Sequence, residues 1–525
     1  MRQPISADVL IVGGGLGGCA AAMAAAKAGK RVILTEETDW IGGQVTSQAV
    51  PPDEHRWIEQ FGCTRTYRTF RDNVRAYYKR NFPLTPEAAA NPRLDPGNGI
   101  VSRLCVEPRA ALAVLHDMMA PYVQSGRIEL LVNAKPVAAT SDGNRVESVT
   151  VRLSPTGEEL TLRAPYVLDA TECGDVLPLA GVEYVTGAES KSETGEPNAL
   201  DGDAEPQDMQ AFTYVFALDY REGEDHTIAK PRDYDEWKTY KAPFMKDVML
   251  SWATSNLSPF QSFSLFRDPT PGVFSLWEYR RVIDKANFIP GTFDSDITLV
   301  NWPQNDYWLG SIIDVAEEER DRQLERAKQL SLSLLYWLQT EAPRPDGGFG
   351  YPGLRLRKDV VGTADGLAKA PYIRESRRIR AEFTVLEQHI SPDVRGPGRQ
   401  AEKFADSVGI GCYRIDLHPT TGGREGFYIP SLPFQIPLGS LIPVRVDNLL
   451  PACKNIGVTH LTNGCYRLHP VEWNVGEAAG HLAAYCLDRG LTPREVRNTE
   501  SHLRDFQAHL VREGIELDWP VISAV

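Results

Sequence analysis

Three glycines near the start of the chain have the spacing of a phosphate-binding turn. Gly13, Gly15 and Gly18 follow the apolar run ADVLIV and precede CAAAMAAAKAGK, a strongly helix-forming run. The first glycine of such a turn allows a sharp bend, the second lets a pyrophosphate approach the backbone, and the third lets the helix pack closely on the strand. The N–H groups and partial positive charge of the helix N-terminus attract phosphates. The spacing therefore predicts a dinucleotide-binding turn.

An acidic residue and a second pair of glycines follow the next predicted strand, RVILTEE. Glu36 lies 23 residues after Gly13, where a carboxylate accepts hydrogen bonds from a ribose in this type of unit. Gly42 and Gly43 come shortly afterwards, and Gln44 is next. The alternative is a glycine-rich turn in another kind of α/β protein. Strand, turn, helix and acidic residue together favour the dinucleotide site.

Six segments of the chain resemble motifs of the FAD-dependent oxidoreductase family that includes xanthan lyase-like flavoproteins. They are WIGGQVTSQAVPPDEH, RLCVEPRAAL, LDATECGDVLPLAG, PYIRESRRI, SVGIGCYRIDLHP and RLHPVEWNVGEAAG. This family is distantly similar to the succinate dehydrogenase and fumarate reductase flavoproteins. The resemblance covers most of the chain and implies FAD as the cofactor. It also implies an α/β fold, with a Rossmann FAD-binding domain of glutathione-reductase type and an inserted, mixed α+β substrate domain.

The resemblance also implies particular FAD contacts. Val137 resembles the strand position whose backbone meets the adenine. Ala170 belongs to a strand and turn that end in Ala-Thr-Gly in the superfamily, although Glu172 stands here where glycine is usual, and Asp175 follows at a helix start. Asn455 resembles a position that contacts the ribityl–phosphate region. The sequence contains no CxxC motif, which argues against a separate NAD(P)H domain such as disulfide reductases have.

The segment RLHPVEWNVGEAAG places polar side chains at a predicted helix start. Pro470 suits the first turn of a helix, and Glu472 and Asn474 would lie at its mouth, within reach of the cofactor. Arg467 and His469 come just before this turn. A cation or a helix N-terminus stabilises the negative charge that develops at N1 and C2=O of a reduced flavin. We therefore expect the isoalloxazine to lie against this segment, whose glycines would allow close approach; the alternative is a proline-capped packing helix.

Histidines in three segments are further candidates, because these segments are expected to converge on the flavin. His418, His460 and His469 would each act as an acid or base, or be structural. The loop TSQAVPPDEH is expected to pass the flavin ring, and it carries Ser47, Gln48, Asp53, Glu54 and His55. His55 is either a point of covalent flavin attachment or an ordinary loop histidine.

The segment PYIRESRRIR carries a run of positive charge. Arg374, Arg377, Arg378 and Arg380 lie around Glu375, and on a helix Arg374 and Arg378 would share a face. They would either clamp an anionic substrate or form salt bridges to the FAD-binding domain. The residues predicted to take part in catalysis are His469, Arg467, His418 and Arg374.

Two parts of one cofactor-binding domain must position these residues. The first strand, helix and second strand read as a βαβ unit. The middle of the chain differs, with acidic loops, many aromatic residues and a long helix predicted over EEERDRQLERAKQLSLSLLYWLQT. The predicted organisation is an N-terminal part of the FAD-binding domain over residues 1–184, a substrate domain over 185–395 and the C-terminal part of the FAD-binding domain over 396–525.

Composition limits the kinds of partner. The chain of 525 residues has a net charge of −14, so nucleic acid and anionic membranes are unfavourable partners. It contains no long apolar run, so we expect no membrane span. We also expect no secretory signal, and the eight scattered cysteines indicate free thiols, no metal site and a cytoplasmic protein. The expected partner is a small-molecule substrate, and the oligomeric state is left open.

The predicted reaction is electron transfer from an organic substrate. The first hypothesis is a dehydrogenase or oxidase, in which a substrate C–H or C–N donates hydride to flavin N5. The alternative is a flavin-dependent monooxygenase that uses an external reductant. A non-catalytic or tRNA-modifying flavoprotein is disfavoured by the acidic charge. An electron-transfer subunit is disfavoured because clustered cysteines for an iron–sulfur centre are missing.

Overall fold

The computed structural model describes residues 4–154, 156–520 and 522. Within these residues the strands are β1 Ile5–Ser6, β2 Val9–Val12, β3 Val32–Glu36, β4 Ile128–Val132, β5 Ala134–Asp142, β6 Arg145–Leu153, β7 Glu159–Arg163, β8 Tyr166–Asp169, β9 Tyr184–Val185, β10 Phe216–Tyr220, β11 Ser262–Ser264, β12 Val273–Ser275, β13 Arg281–Ile283, β14 Ile297–Val300, β15 Leu354–Leu356, β16 Arg378–Ile379, β17 Ser407–Gly411, β18 Ile415–Asp416, β19 Tyr428–Ile429, β20 Phe434–Pro437 and β21 Leu449–Pro451.

The helices connect these strands and cover the sheets. They are α1 Leu16–Lys27, α2 Arg65–Asn81, α3 Pro86–Ala90, α4 Pro108–Gln124, α5 Val176–Leu179, α6 Lys191–Thr194, α7 Tyr234–Thr239, α8 Leu276–Tyr279, α9 Glu317–Thr340, α10 Lys358–Val361, α11 Glu387–Ile390, α12 Pro392–Arg395, α13 His460–Tyr466, α14 His469–Arg489, α15 Pro493–Asn498 and α16 Glu500–Glu513. The long helix predicted in the middle of the chain is confirmed as α9. In the described part of the chain, the search for a helix of sufficient length and apolarity to cross a membrane finds none.

A five-stranded parallel sheet combines strands from the N-terminal and C-terminal parts of the chain. Its strand order is β21-β8-β2-β3-β4. Strands β2, β3 and β8 are buried along their whole length, because helices or a second sheet cover both faces of such a sheet. The predicted βαβ unit is confirmed as β2, α1 and β3. Strand β21 pairs with β8, so the C-terminal part of the chain completes a sheet that the N-terminal part begins.

Helix α14 packs directly on α1 through small residues. A Cβ atom on Gly476 would lie 2.0 Å from the carbonyl oxygen of Gly17, and one on Gly480 would lie 2.4 Å from the carbonyl oxygen of Ala21. Only glycine permits this separation of the two helix backbones. The expectation that these glycines allow close approach to the cofactor is therefore wrong: they allow α14 to approach α1.

The middle of the chain has a sheet and an apolar core of its own. The sheet order is β13-β14-β10-β15, and all three pairings are antiparallel. The core consists of buried side chains between Ala211 and Ile373, several of them from α9. A further four-stranded sheet, β1-β7-β6-β5, lies within the first 163 residues.

The arginine-rich segment is extended, so the helix considered for it is wrong. Strand β16 pairs antiparallel with β9, and the N–H of Ile379 donates to the carbonyl oxygen of Asn455 at 3.0 Å. Arg374 and Arg378 therefore share no helical face. Hydrogen bonds to distant parts of the chain therefore fix this backbone. They replace the hydrogen bonds within a helix that the charged composition of the segment would allow.

Candidate active site

The glycine turn after β2 forms a tight cradle at the N-terminus of α1. Gly13 has a φ angle of 106°, and a Cβ atom there would lie 2.2 Å from the carbonyl oxygen of Ala170. A Cβ atom on Gly18 would lie 2.0 Å from the carbonyl oxygen of Gly13. Gly15 is the residue that caps α1. The turn thus has the close backbone contacts that the spacing of the three glycines predicts.

A cavity of about 460 Å³ opens beside this cradle, and we call it the nucleotide cavity. The predicted cofactor contacts that line it are Gly13, Gly15, Glu36, Gly43, Ala170 and Asp175. Ser47 and Gln48 of the loop after the second glycine pair also line it. Residues of the middle region, including Tyr214 and Arg320, line the cavity as well. The carboxyl ends of β2, β3 and β8 meet here, where ligands bind in open parallel sheets.

Glu36 is held at the cavity wall by backbone and hydroxyl donors. Its carboxylate accepts hydrogen bonds from the N–H of Gly14 at 2.9 Å and from the N–H and Oγ1 of Thr38 at 2.9 and 2.8 Å. Burial raises the pKa of Glu36 to about 7, although these hydrogen bonds oppose the shift. The carboxylate is thereby fixed at the end of β3, where the motif predicts a ribose contact.

A group of buried charges lies next to the cradle. Glu472, in the first turn of α14, accepts a hydrogen bond from the N–H of Gly17 at 3.1 Å and another from Gln44 Nε2. Lys454 Nζ pairs with Glu172. Burial and the neighbouring Glu172 raise the pKa of Glu472, while Lys454 opposes the shift. Burial opposes the charge of Lys454, yet its acidic neighbours raise its pKa well above the ordinary value.

Glu172 projects into the space between the two glycine turns. Its Oε1 would lie 2.9 Å from a Cβ atom on Gly15 and 2.5 Å from one on Gly43. Together with Cys453 and Glu472, Glu172 places potential metal-ligand atoms within 4.8 Å of one another. Because the ammonium of Lys454 already supplies positive charge to Glu172, we assign no metal to this group.

Three of the four predicted catalytic residues belong to one network of charges. Arg374 pairs with Asp306 Oδ1 at 2.9 Å, and Asp306 Oδ2 lies 2.6 Å from His418 Nδ1. His418 Nε2 lies 3.6 Å from Asp416 Oδ2, and Arg467 pairs with that oxygen at 3.3 Å. The two arginines are buried, while the side chain of His418 is 27% exposed. The structure therefore brings together Arg374, His418 and Arg467, with two aspartates between them.

The positive charges around the two aspartates of this network favour their ionised forms. Burial alone would raise the pKa of Asp306, but Arg374 and His418 hold it well below its ordinary value. Burial likewise opposes the charge of Asp416, whereas His418 and Arg467 lower its pKa to about 2. Since an ionised carboxylate only accepts hydrogen bonds, the His418 Nδ1–H donates to Asp306.

A second cavity, of about 260 Å³, gives access to this network. We call it the apolar cavity, because side chains such as Phe244, Leu257, Trp308 and Phe427 line it. Asp306, Asp416 and His418 line it too. A ligand in this cavity would have apolar contacts over its body and would meet the imidazole and the two carboxylates.

His469, the fourth catalytic prediction, lies elsewhere. Its Nδ1 accepts a hydrogen bond from the N–H of Asp53 at 3.0 Å, and its Nε2 has no hydrogen-bond partner among the described residues. Burial, Arg280 and Arg467 lower the pKa of His469 to about 3. The imidazole is therefore neutral at physiological pH, which favours a hydrogen-bonding role over acid–base exchange.

Several predicted cofactor contacts lie outside the lining of the nucleotide cavity. Val137 is half-buried on β5, whereas its neighbour Pro136 lines the cavity. Asn455 Nδ2 donates to the carbonyl oxygen of Asp169 at 3.0 Å, and Asn474 Oδ1 accepts from the N–H of Ile410 at 3.3 Å. Gly42 also lies outside this lining, and its N–H donates to the carbonyl oxygen of Gly14 at 2.7 Å. In these contacts the side chains of Asn455 and Asn474 join strands and helices.

The other histidines and arginines have protein partners. His460 Nδ1 lies 2.9 Å from Glu375 Oε1, and His55 Nε2 lies 3.0 Å from the carbonyl oxygen of Gly62. Arg377 pairs with Asp175 and Asp314, and Arg378 pairs with Glu189 and Glu375. Arg374, Arg377 and Arg378 thus form salt bridges, but of these partners only Asp175 lies in the predicted FAD-binding domain.

Sequence reasoning did not identify Asp306, Asp416 and Tyr372 as members of the site. Asp416 precedes His418 by two residues in RIDLHP, and this spacing was an available signal. Asp306 is far from His418 in the sequence, so nothing local connects them. Tyr372 OH accepts a hydrogen bond from Arg467 at 3.0 Å, and only the fold places these two residues together.

Comparison with known families decides which dinucleotide the chain binds. A family model described as FAD dependent oxidoreductase matches residues 8–510. The chain belongs to the FAD dependent oxidoreductase family. FAD is therefore its cofactor, and the protein is an oxidoreductase. This agrees with the motifs that resemble those of FAD-dependent oxidoreductases.

Solved flavoprotein structures have only a weak overall likeness to this FAD-dependent oxidoreductase. For E. coli quinol fumarate reductase, the identity is 12% over 97% of this chain and 74% of that chain, with a TM-score of 0.32. A geranylgeranyl bacteriochlorophyll reductase-like protein from Thermoplasma acidophilum is 12% identical over 98% of this chain and 85% of its own, with a TM-score of 0.31. The flavin-dependent monooxygenase PieE is 16% identical over 42% of this chain and 36% of its own, with a TM-score of 0.24.

The residues around the nucleotide cavity fit FAD. The glycine turn leaves no room for Cβ atoms at Gly13 and Gly18, as expected of a backbone that receives a pyrophosphate. Gln44 Oε1 and Gln48 Nε2 are buried and have no hydrogen-bond partner within the described part of the chain. Buried polar groups of this kind are stabilised when a ligand supplies the missing hydrogen bonds.

Proposed function

We propose that this FAD-dependent oxidoreductase is a dehydrogenase or oxidase that removes hydride from a carbon atom bearing a hydroxyl or amino group. His418 accepts the proton that leaves that hydroxyl or amino group. The observation that carries this proposal is the 2.6 Å separation between His418 Nδ1 and Asp306 Oδ2, at a cavity with apolar walls. FAD, when bound, accepts hydride from carbon, and the protein has to supply the base.

Asp306 orients the imidazole of His418. Its Oδ2 accepts the Nδ1–H, which leaves Nε2 as the ring nitrogen whose lone pair can accept a proton. Arg374 and Thr213 Oγ1 contact the other oxygen, Oδ1, at 2.9 and 2.7 Å, which fixes the carboxylate in turn. A carboxylate that holds an imidazole in one tautomer also stabilises the imidazolium formed on proton transfer.

The Nε2 atom of His418 is accessible to a substrate. The nearest carboxylate oxygen on that side, Asp416 Oδ2, is 3.6 Å away, which is longer than a hydrogen bond. Arg467, which also donates to Tyr372 OH, pairs with this same oxygen of Asp416 at 3.3 Å. A hydroxyl or amine that enters the apolar cavity can therefore place its proton at Nε2.

The walls of the apolar cavity favour an aliphatic or aromatic substrate body. Phe244, Leu257, Trp308 and Phe427 contribute apolar side chains to it. Burial of apolar surface would bind such a body with about 25 cal/mol per Å². We therefore propose a small organic alcohol or amine with an apolar body as the substrate.

The proposal assigns roles to both halves of the site. Gly13 and Gly15 would receive the pyrophosphate of FAD and Glu36 the ribose, while Arg467 would provide positive charge near the reduced flavin. Residues 185–395 would form the substrate domain, which is supported by the separate apolar core between residues 211 and 373. The protein would act in the cytoplasm.

Anaerobic stopped-flow measurement of flavin reduction tests this function. The FAD-loaded enzyme is mixed with benzyl alcohol, cyclohexanol, benzylamine and cyclohexylamine, and the flavin absorbance is followed. With a compound that reduces the wild type, His418→Asn should slow reduction by about 10²- to 10⁴-fold at unchanged FAD content. Asp306→Asn should also slow it, because the imidazole loses its fixed tautomer.

His226→Asn is the matched control for this experiment. His226 has a similarly exposed side chain, 28% against 27% for His418, and it pairs with Glu224 on the surface. This variant should reduce at the wild-type rate. An unchanged rate in His418→Asn would contradict the role of His418. Reduction by none of the four compounds, with oxygen-dependent hydroxylation after chemical reduction of the flavin, would favour the monooxygenase.

A further inference from the structure

A third cavity lies beside the apolar cavity and takes no part in the proposed reaction. It has a volume of about 230 Å³, and we call it the acidic cavity. Carboxylates of Glu189, Glu196, Asp208 and Glu425 belong to the residues that line it. Leu417, Gly426 and Phe427 line both this cavity and the apolar cavity. The loop between β18 and β19 therefore separates two ligand-sized spaces of different chemistry.

Glu196 is the residue that points to a ligand. It is fully buried. Its Oε1 accepts hydrogen bonds from the N–H of Glu387 at 2.8 Å and from Thr459 Oγ1 at 2.7 Å. Its Oε2 has no hydrogen-bond partner within the described residues, and neither has the buried Oγ1 of Thr420, another residue of the cavity wall. A carboxylate oxygen and a hydroxyl group thus lack hydrogen-bond partners at one small cavity, and buried polar groups left unpaired are destabilising.

The cations around the acidic cavity do not neutralise Glu196. Arg424 pairs with Asp208 and Glu205, Arg378 pairs with Glu375 and Glu189, and His460 pairs with Glu375. None of these ion pairs includes Glu196. Burial, with a contribution from the nearby Glu189, raises the pKa of Glu196 to about 7. When Glu196 is ionised, its negative charge is therefore not balanced by any of these cations.

The remaining walls indicate an organic cation. Leu200, Leu417, Phe427 and Leu461 give the cavity apolar surface. A metal cation such as Ca²⁺ prefers six to eight oxygen ligands, whereas an alkylammonium combines N–H donors with an apolar chain. We propose that the acidic cavity binds a small primary alkylammonium ligand. Glu196 Oε2 and Thr420 Oγ1 accept hydrogen bonds from its N–H groups, and Leu417 and Phe427 pack against its chain.

Isothermal titration calorimetry with n-butylammonium chloride tests this site. The FAD-loaded protein is titrated anaerobically at pH 8, where Glu196 is mostly ionised, and the flavin spectrum is recorded. Butylammonium should bind at least tenfold more tightly than 1-butanol, a neutral ligand of similar shape. Glu196→Gln should weaken its binding at least tenfold, and Thr420→Val about threefold. Glu159→Gln is the control, because Glu159 is exposed on β7 and pairs with Arg152 outside this cavity, and it should leave the affinity unchanged.

Several outcomes would overturn the proposal. Equal binding of butanol, or unchanged binding by Glu196→Gln, would mean that Glu196 does not recognise the ammonium. Complete competition by potassium chloride would assign the cavity to an inorganic cation. Butylammonium binding that survives in Glu196→Gln but disappears in His418→Asn would place the amine in the apolar cavity. If Glu196→Gln does not fold, unchanged binding by Thr420→Val contradicts the site.

Discussion

The phosphate cradle contains a carboxylate in an unexpected place. Glu172 stands where the superfamily resemblance leads one to expect glycine, and its side chain lies between Gly15 and Gly43. Lys454, which is fully buried, pairs with it. A pyrophosphate at the same turn would place further negative charge close to Glu172 and Glu472. We infer that Lys454 is shared between Glu172 and the phosphates when FAD is present.

Replacing Glu172 by glutamine should strengthen FAD binding and lower the stability of the apoprotein. Glu172→Gln removes one negative charge near the phosphates, so the Kd for FAD should fall about fivefold to tenfold, or about 1–1.4 kcal/mol. The apoprotein should melt at a lower temperature, because the buried Lys454 loses its charged partner. Fluorescence titration with FAD and thermal unfolding of the apoprotein measure the two effects.

Glu159→Gln is the control for this prediction, because Glu159 is exposed on β7 and pairs with Arg152. Neither FAD affinity nor melting temperature should change appreciably in this variant. Weaker FAD binding by Glu172→Gln would contradict the prediction and would mean that the Glu172 carboxylate itself accepts a hydrogen bond from the bound cofactor.

Individual site residues differ in how far the sequence could predict them. His418, Arg374 and Arg467 were predicted from residue type and position in the motifs, and the structure places them in one network. Asp306, which holds His418, lies 112 residues away in the chain. Its segment WPQNDYW has no periodicity or motif that indicates a role. A pair that forms only through tertiary packing leaves no local signal in a single sequence.

Helices α1 and α14 depend on each other through their glycines. Gly476→Ala adds a Cβ atom that would lie 2.0 Å from a backbone oxygen of α1, so the two helices must move apart. We expect unfolding to become easier by about 1–3 kcal/mol or more, with loss of bound FAD, because α1 carries the cradle. Thermal unfolding and the FAD content of the purified protein measure this.

Gly202→Ala is the matched control, since a Cβ atom at Gly202 meets nothing within 4 Å. It should leave both stability and FAD content unchanged. Wild-type stability in Gly476→Ala would contradict the close packing of α14 on α1.

The contact between α14 and α16 predicts a dependence of stability on pH. His481 Nδ1 lies 3.2 Å from His509 Nε2, and burial, with the neighbouring His509, lowers the pKa of His481 to about 3. In the unfolded chain a histidine takes up a proton near pH 6.5. Between these values the folded state binds fewer protons, so stability is lost as the pH falls from about 6.5 towards 3.

His481→Gln should reduce this loss. The slope of unfolding free energy against pH should decrease by up to about 1.4 kcal/mol per pH unit between pH 4 and 6. Denaturant unfolding at several pH values measures the slope. His502→Gln on α16 is the comparison variant and should keep the wild-type slope. An identical slope in His481→Gln would contradict the assignment of this proton to His481.

Secondary structure was predictable where local patterns are strong. The βαβ unit has a buried strand, a glycine turn and an alanine-rich helix in order, and α9 has the composition of a long helix. The segment PYIRESRRI was misjudged because its charges suit a helix, whereas β16 pairs with β9 and its arginines pair with distant carboxylates. The role of Gly476 and Gly480 was also misjudged. A glycine allows another group to approach closely, but it does not indicate whether that group is the cofactor or a second helix.

The molecule as a whole joins the two ends of its chain in one sheet and one helix pair. Strand β21 extends the sheet begun by β2 and β8, and α14 lies on α1. Between β8 and β21 the chain forms a second sheet and core. The sequence predicted this return of the chain from the motifs near both ends. It could not predict that Lys454 pairs with Glu172, because these two residues lie in loops 282 positions apart.

This pairing of distant segments has a consequence for protein synthesis. While a ribosome makes the chain, α1 emerges early and has no partner for its glycine face until Gly476 and Gly480 have left the exit tunnel. Contacts between residues so far apart in sequence form slowly, and apolar surface that waits for its partner favours aggregation. The nascent chain should therefore bind chaperones through α1, and it should acquire FAD only after α14 has left the exit tunnel.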